Sequence, residues 1–143
     1  MRLPREEQVV RALCSDKFDR TSGRVSPSLF KGPNTSVSRL AIIPLALQWR
    51  KLAATVQKLP GLRLERLGEI GVGRLEDVGR SYVANGKPTP TSLSVVADAL
   101  PTNEAHAIVP ENISAGLGNT IIRALAYHEL PEGFRPELVG RTG

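Results

Sequence analysis

SLSVVADALPTNEAHAIVPENISAGLGNTIIRALA, residues 92–126, changes its hydrophobic spacing partway along, and that change decides the fold. Leu93, Val95, Val96 and Ala97 form a short apolar run bounded by Pro88, Pro90 and Pro101, the pattern of a buried strand. Residues 105–109 read as a second strand closed by Pro110, with Pro101-Thr102-Asn103 as the turn between them. From Leu117 the spacing becomes helical. Leu117, Ile121, Ile122 and Leu125 share one face, and Asn112 or Ser114 can cap the helix by accepting a bond from a free amide. Gly116 and Gly118 near the helix start lower its propensity by roughly 1 kcal/mol each relative to alanine. They serve either close packing against a neighbouring element or the approach of a ligand to open backbone.

Working outward, residues 35–43 (TSVSRLAII) read as a strand, as do residues 8–13 (QVVRAL), although Pro4 with Arg5, Glu6 and Glu7 could also open a helix there. Pro44 suits the first turn of the clearest helix. In it Leu45, Trp49, Leu52, Val56 and Leu59 recur at helical spacing, and Pro60-Gly61 ends it. That face is expected to be buried, with Leu52→Ala costing roughly 2–5 kcal/mol. Residues 62–64 and 70–72 alternate as two short strands, Gly68, Gly71 and Gly73 argue against a stable helix through the middle of this segment, and Leu75 and Val78 suit one helical turn. Asn85-Gly86 is a hairpin signal. The pattern predicts an α+β (mixed α/β) chain. A single compact domain of several short strands with two main amphipathic helices spans 1–130, and an extended tail held by Phe134 and Leu138 spans 131–143.

The net charge of +5 is unevenly placed. Residues 1–87 carry sixteen Lys and Arg against eight Asp and Glu, whereas residues 88–143 carry three against six. A basic half attracts phosphate backbones or acidic protein surfaces. Arg39, Arg50, Lys51, Lys58, Arg63 and Arg66 are the candidate contacts. The single cysteine, Cys14, excludes an internal disulfide and suits a reducing cytoplasm. No apolar run approaches the ~20 residues of a membrane helix, and the charged start MRLPREEQ lacks the apolar core of a signal peptide. A soluble cytoplasmic protein is expected, with no membrane contact.

His106 is the first candidate for chemistry. It sits between a turn and a strand, where it could act as general base with Glu104 or Asn103 orienting it. We expect its ring at the rim of a concavity near the N-terminal end of the 117–125 helix. The alternative is a histidine bonded to a carbonyl. His128, near the end of that helix, is expected to complement the helix dipole. No HxxxH, HExxH or multi-cysteine spacing predicts a metal, no GxSxG elbow is present, and no cofactor motif appears.

Arg11 on a first strand, Ser36 and Ser38 on another, and a later Glu69 or Glu104 stand in an order that resembles the spaced motifs of ADP-ribosyltransferase-like, NAD-using domains. The resemblance implies that Arg11, Ser36 and Ser38 border a cofactor pocket and that a glutamate activates the ribose. The chain lacks that family's paired Gln/Glu-x-Glu element. The leading expectation is a small basic binding or accessory module that contacts nucleic acid or an acidic protein through its N-terminal half. The alternatives are a small enzyme or toxin-like domain with a pocket near His106, and a structural subunit of an oligomer.

Overall fold

The computed structural model describes residues 1–138. The strands are β1 (Gln8–Cys14), β2 (Phe18–Asp19), β3 (Arg24–Val25), β4 (Thr35–Arg39), β5 (Leu64–Gly71), β6 (Val83–Ala84), β7 (Lys87–Pro88), β8 (Val96–Ala97), β9 (His106–Val109) and β10 (Ala126–Glu129). The helices are α1 (Leu45–Val56), α2 (Val72–Arg80) and α3 (Ala115–Ala124), with a 3-10 turn at Pro27–Phe30. Six strands form one antiparallel sheet in the order β10-β5-β1-β4-β9-β8, and β2-β3 and β6-β7 are separate hairpins. The Asn85-Gly86 signal becomes the β6-β7 turn, both residues taking positive φ (53° and 76°) as such a hairpin requires.

Alternation along the strands sends residues to two covered faces. On one, Val9, Leu13, Val37, Ile70 and Ala107 pack with α2, α3 and the 3-10 turn. On the other, Val10 and Leu67 meet Trp49 and Ala53 of α1. The sheet is thus sandwiched between α1 and the other two helices, as expected for a mixed α+β domain.

Three readings need correction. First, the two short strands expected at 62–64 and 70–72 are one continuous strand, Leu64–Gly71, followed directly by α2, which makes a third helix. Val72, Leu75 and Val78 reach the core from it, so burial outweighs the cost of Gly73 and Gly79. Second, α1 stops at Val56: Leu59 is exposed, Leu45 and Leu52 are half-buried, and Gln48 and Ala53 take buried positions. Third, the last helix ends at Ala124, and His128 lies on β10, where Nε2 meets Glu69 Oε1 at 2.8 Å. Of the tail, Phe134 packs on Trp49 (ring centroids 6.3 Å apart) and Pro136 is buried, while Leu138 is exposed and anchors nothing. Residues 139–143 lie outside the described residues. Among the described residues, no helix is long and apolar enough to cross a membrane.

These positions rank two leucines. Leu67 is fully enclosed at the centre of the sheet, and Leu67→Ala should cost about 2–5 kcal/mol. Leu52 is only half-buried, so Leu52→Ala should cost less, below about 2 kcal/mol. Urea titration of both variants checks the order; equal losses would contradict it.

Candidate functional site

β1 and β4 are hydrogen-bonded neighbours only at their first contacts, Val9 with Arg39 and Val10 with Ser38. Beyond Val10, β1 pairs with β5 alone, and β4 pairs with β9. The sheet therefore opens like a wedge. Arg11 fills the opening: Nη1 donates to the Ser36 carbonyl (3.0 Å) and Nε to the Leu29 carbonyl (3.2 Å). Its guanidinium forms no ion pair among the described residues, and burial pulls its pKa down from the usual arginine value. A cavity of about 400 Å³ occupies the wedge, and Arg11, Ser36, Ser38 and His106 all line it. Its apolar wall comes from Leu29 of the 3-10 turn, Val37 of β4, and Leu52 and Val56 of α1.

The pairing of β4 with β9 sets Ser36 and Ser38 on the same sheet face as His106, with Ser38 directly opposite it. Two roles separate the serines. Ser38 is buried and spent on structure: its Oγ donates to Gln48 Oε1 (2.8 Å) and accepts from Asn103 Nδ2 (3.3 Å). Gln48 in turn donates to the carbonyls of Arg39 and Ile43 (3.1 and 2.9 Å). Ser36 is exposed to the cavity, and its Oγ lies 3.0 Å from His106 Nε2.

The other ring nitrogen of His106 faces Asp98 twice, the carbonyl at 2.9 Å and the carboxylate Oδ2 at 3.1 Å. Two acceptors at Nδ1 place the proton there, which leaves the Nε2 lone pair to accept the Ser36 hydroxyl. The result is a continuous Asp98–His106–Ser36 chain, of which His106 and Ser36 line the cavity.

Asp98 is the residue that sequence reading missed. The β8-β9 register, Val96 with Ile108 and Ala97 with Ala107, carries Asp98 opposite His106, and counting back across the 101–103 turn would have found it. Glu104 does not orient the histidine. It lies exposed in the turn, its Oε2 3.3 Å from Lys51 Nζ. Its own backbone N–H and Lys51 hold its carboxyl below the usual glutamate value. Glu69 is held by His128 and does not line the cavity.

His106 is also away from the α3 N-terminus, which packs on the opposite face of the sheet. The glycines there serve close packing. A Cβ on Gly116 would strike the Tyr82 hydroxyl, and one on Gly118 would meet the Pro27 carbonyl at 2.9 Å.

The basic set divides. Arg39 pairs with Glu7 (2.9 Å), Arg63 with Glu65 (2.8 Å), and Arg66 lies 4.9 Å over the Phe18 ring. Arg50 and Lys58 are exposed and form no ion pair among the described residues, and with Lys51 they line a groove of about 530 Å³ beside α1. Among the described residues, no three His, Cys, Asp or Glu side chains come together as metal ligands. No protein-family model, curated protein or solved structure matches the chain.

Cys14 also lines the cavity, and burial pushes its thiol up to about 11 from 9.0. Two units leave about 100-fold less thiolate below pH 9. Iodoacetamide at pH 8 should therefore alkylate Cys14 about 100-fold more slowly than an unhindered thiol. Mass spectrometry over time checks this, and a rate equal to that of glutathione would contradict it.

Proposed function

We propose that the chain is a small enzyme whose site is the cleft between β1 and β4. It takes a phosphate-bearing small molecule, with Arg11 as anion holder and His106 as general base. One observation carries the reading: residues from three strands, Arg11, Ser36, Ser38 and His106, border a single cavity, and the histidine there is already held at Nδ1 and joined to a hydroxyl at Nε2. A general base needs that geometry before anything else. A desolvated arginine without a carboxylate partner has donors to offer an anion. Three of these residues, Arg11, Ser36 and Ser38, also carry the resemblance to ADP-ribosyltransferase-like domains, which makes NAD and ADP-ribose the first ligands to try. Against an NAD-transfer reaction stands the absence of any glutamate on the cavity wall. The one free thiol, Cys14, supports placing this enzyme in the cytoplasm.

ADP-ribose should bind the folded chain with a heat signal in calorimetry, and Arg11→Gln should weaken it about 10- to 100-fold by removing a charge-assisted bond. If ADP-ribose, NAD and inorganic phosphate all fail to bind the folded wild type at millimolar concentration, the reading is wrong.

A second reading rests on the outer side of α1. There Arg50, Lys51 and Lys58 stand beside the exposed Leu47 and Ile42 along the groove, a surface suited to nucleic acid or an acidic protein. With three cations available, the salt dependence of duplex binding should have a log–log slope no steeper than about −3. Replacing Arg50 and Lys58 with Gln should flatten it by about two. Fluorescence anisotropy across a salt series measures this; undetectable RNA and DNA binding at low salt would remove the nucleic-acid form of the reading.

A further inference from the structure

The geometry points to Ser36 as a nucleophile, with Asp98, His106 and Ser36 forming a serine–histidine–aspartate relay that opens an ester through a seryl intermediate. This rests on the cleft being an active site and adds the atom that attacks. Four features support it. The three side chains are joined end to end at 3.1 and 3.0 Å, in the order such a relay requires. Ser36 is exposed to the cavity, whereas Ser38, two residues along the same strand, has its hydroxyl engaged by Gln48 and Asn103. The His106 side chain is only 15% exposed, so its orientation is fixed by packing as well as by Asp98. Finally, the guanidinium of Arg11 is bonded to the carbonyl of Ser36 itself, which sets a positive charge beside the point of attack.

The step balances without any further reagent. The Ser36 Oγ lone pair attacks the carbonyl carbon of the ester as His106 Nε2 takes the hydroxyl proton, and the carbonyl π pair moves onto oxygen. When that oxygen re-forms its double bond, the bond to the leaving oxygen breaks, and that oxygen takes the proton from Nε2. Water then repeats the sequence on the seryl ester and restores the Ser36 hydroxyl. The net change is ester plus water to acid plus alcohol. Asp98 is a positioning residue, because it acts through His106. The cavity indicates the substrate class: an ester with an apolar portion, suited to Leu29, Leu52 and Val56, and an anionic group suited to Arg11.

An alkyl fluorophosphonate tests the nucleophile, since attack on its phosphorus expels fluoride and leaves a stable adduct. The full chain should gain one adduct by intact mass, and peptide sequencing should place it on Ser36. Ser36→Ala should abolish it. His106→Gln should slow labelling by about 100-fold or more, as loss of a general base does. Asp98→Asn should slow labelling while leaving the melting temperature within a degree or two of wild type, which a purely structural role would not do. Circular dichroism confirms that each variant is folded. Labelling of folded His106→Gln at the wild-type rate overturns the inference, as does an adduct on any other residue. Absence of an adduct on a wild-type chain that still binds ADP-ribose overturns the nucleophile and leaves the phosphate-binding reading standing; absence of both removes the two together.

Discussion

The guanidinium of Arg11 occupies the place where a sheet should have continued. Two neighbouring strands that stop pairing leave carbonyls facing a gap, and an unpaired buried carbonyl costs free energy comparable to a lost hydrogen bond. Arg11 supplies a donor to one of them, that of Ser36 on β4, and a second to the Leu29 carbonyl of the adjoining 3-10 turn. It therefore allows the sheet to be split and yet satisfied, and the split is what makes room for a cavity inside so small a domain. The charge that props the wedge open also borders the space it creates. Removing this side chain would free the two carbonyls and take the positive charge from the cavity at once.

A second polar network limits what the wedge can do. Ser38, Gln48 and Asn103 are all buried, and their mutual bonds join β4, the first turn of α1 and the loop before β9. Asn103 also accepts from the Ala105 amide at 3.0 Å, which fixes the chain immediately ahead of His106. A fully satisfied network of this kind rigidifies its surroundings. The histidine thus enters β9 from a loop with little freedom, and the ring meets Ser36 rather than solvent.

Much of this was legible in the sequence. Period alone located β1, β4, β9, α1 and α3, because each buries one face against a neighbour. Only one turn of α2, at Leu75 and Val78, was legible: its glycines argue against a longer helix locally, and contact with the core through Val72, Leu75 and Val78 overrides them. Arg11, Ser36, Ser38 and His106 could be named as residue types, but nothing in the chain states that β1 and β4 part after Val10. That is a matter of register between strands 25 or more residues apart, and register is decided by the whole sheet. Nearness in sequence points to Glu104 as the partner of His106, yet proximity along a turn sends that side chain elsewhere, whereas Asp98, across the β8-β9 hairpin, faces the ring. The basic half was overcounted for a related reason: composition shows Arg39, Arg63 and Arg66 as free charges, while the fold engages each of them internally.

Trp49 is the single tryptophan of the chain, and it is 3% exposed. One side of its indole meets Phe134 of the C-terminal segment, and one and two turns further along its own helix stand Leu52 and Val56, which wall the cavity. The molecule consequently carries a built-in optical reporter at the junction of its tail, its longest helix and its cleft. Lifting the segment around Phe134 would wet the indole and shift its emission to the red. A ligand that displaced α1 would alter the same signal, with no label added.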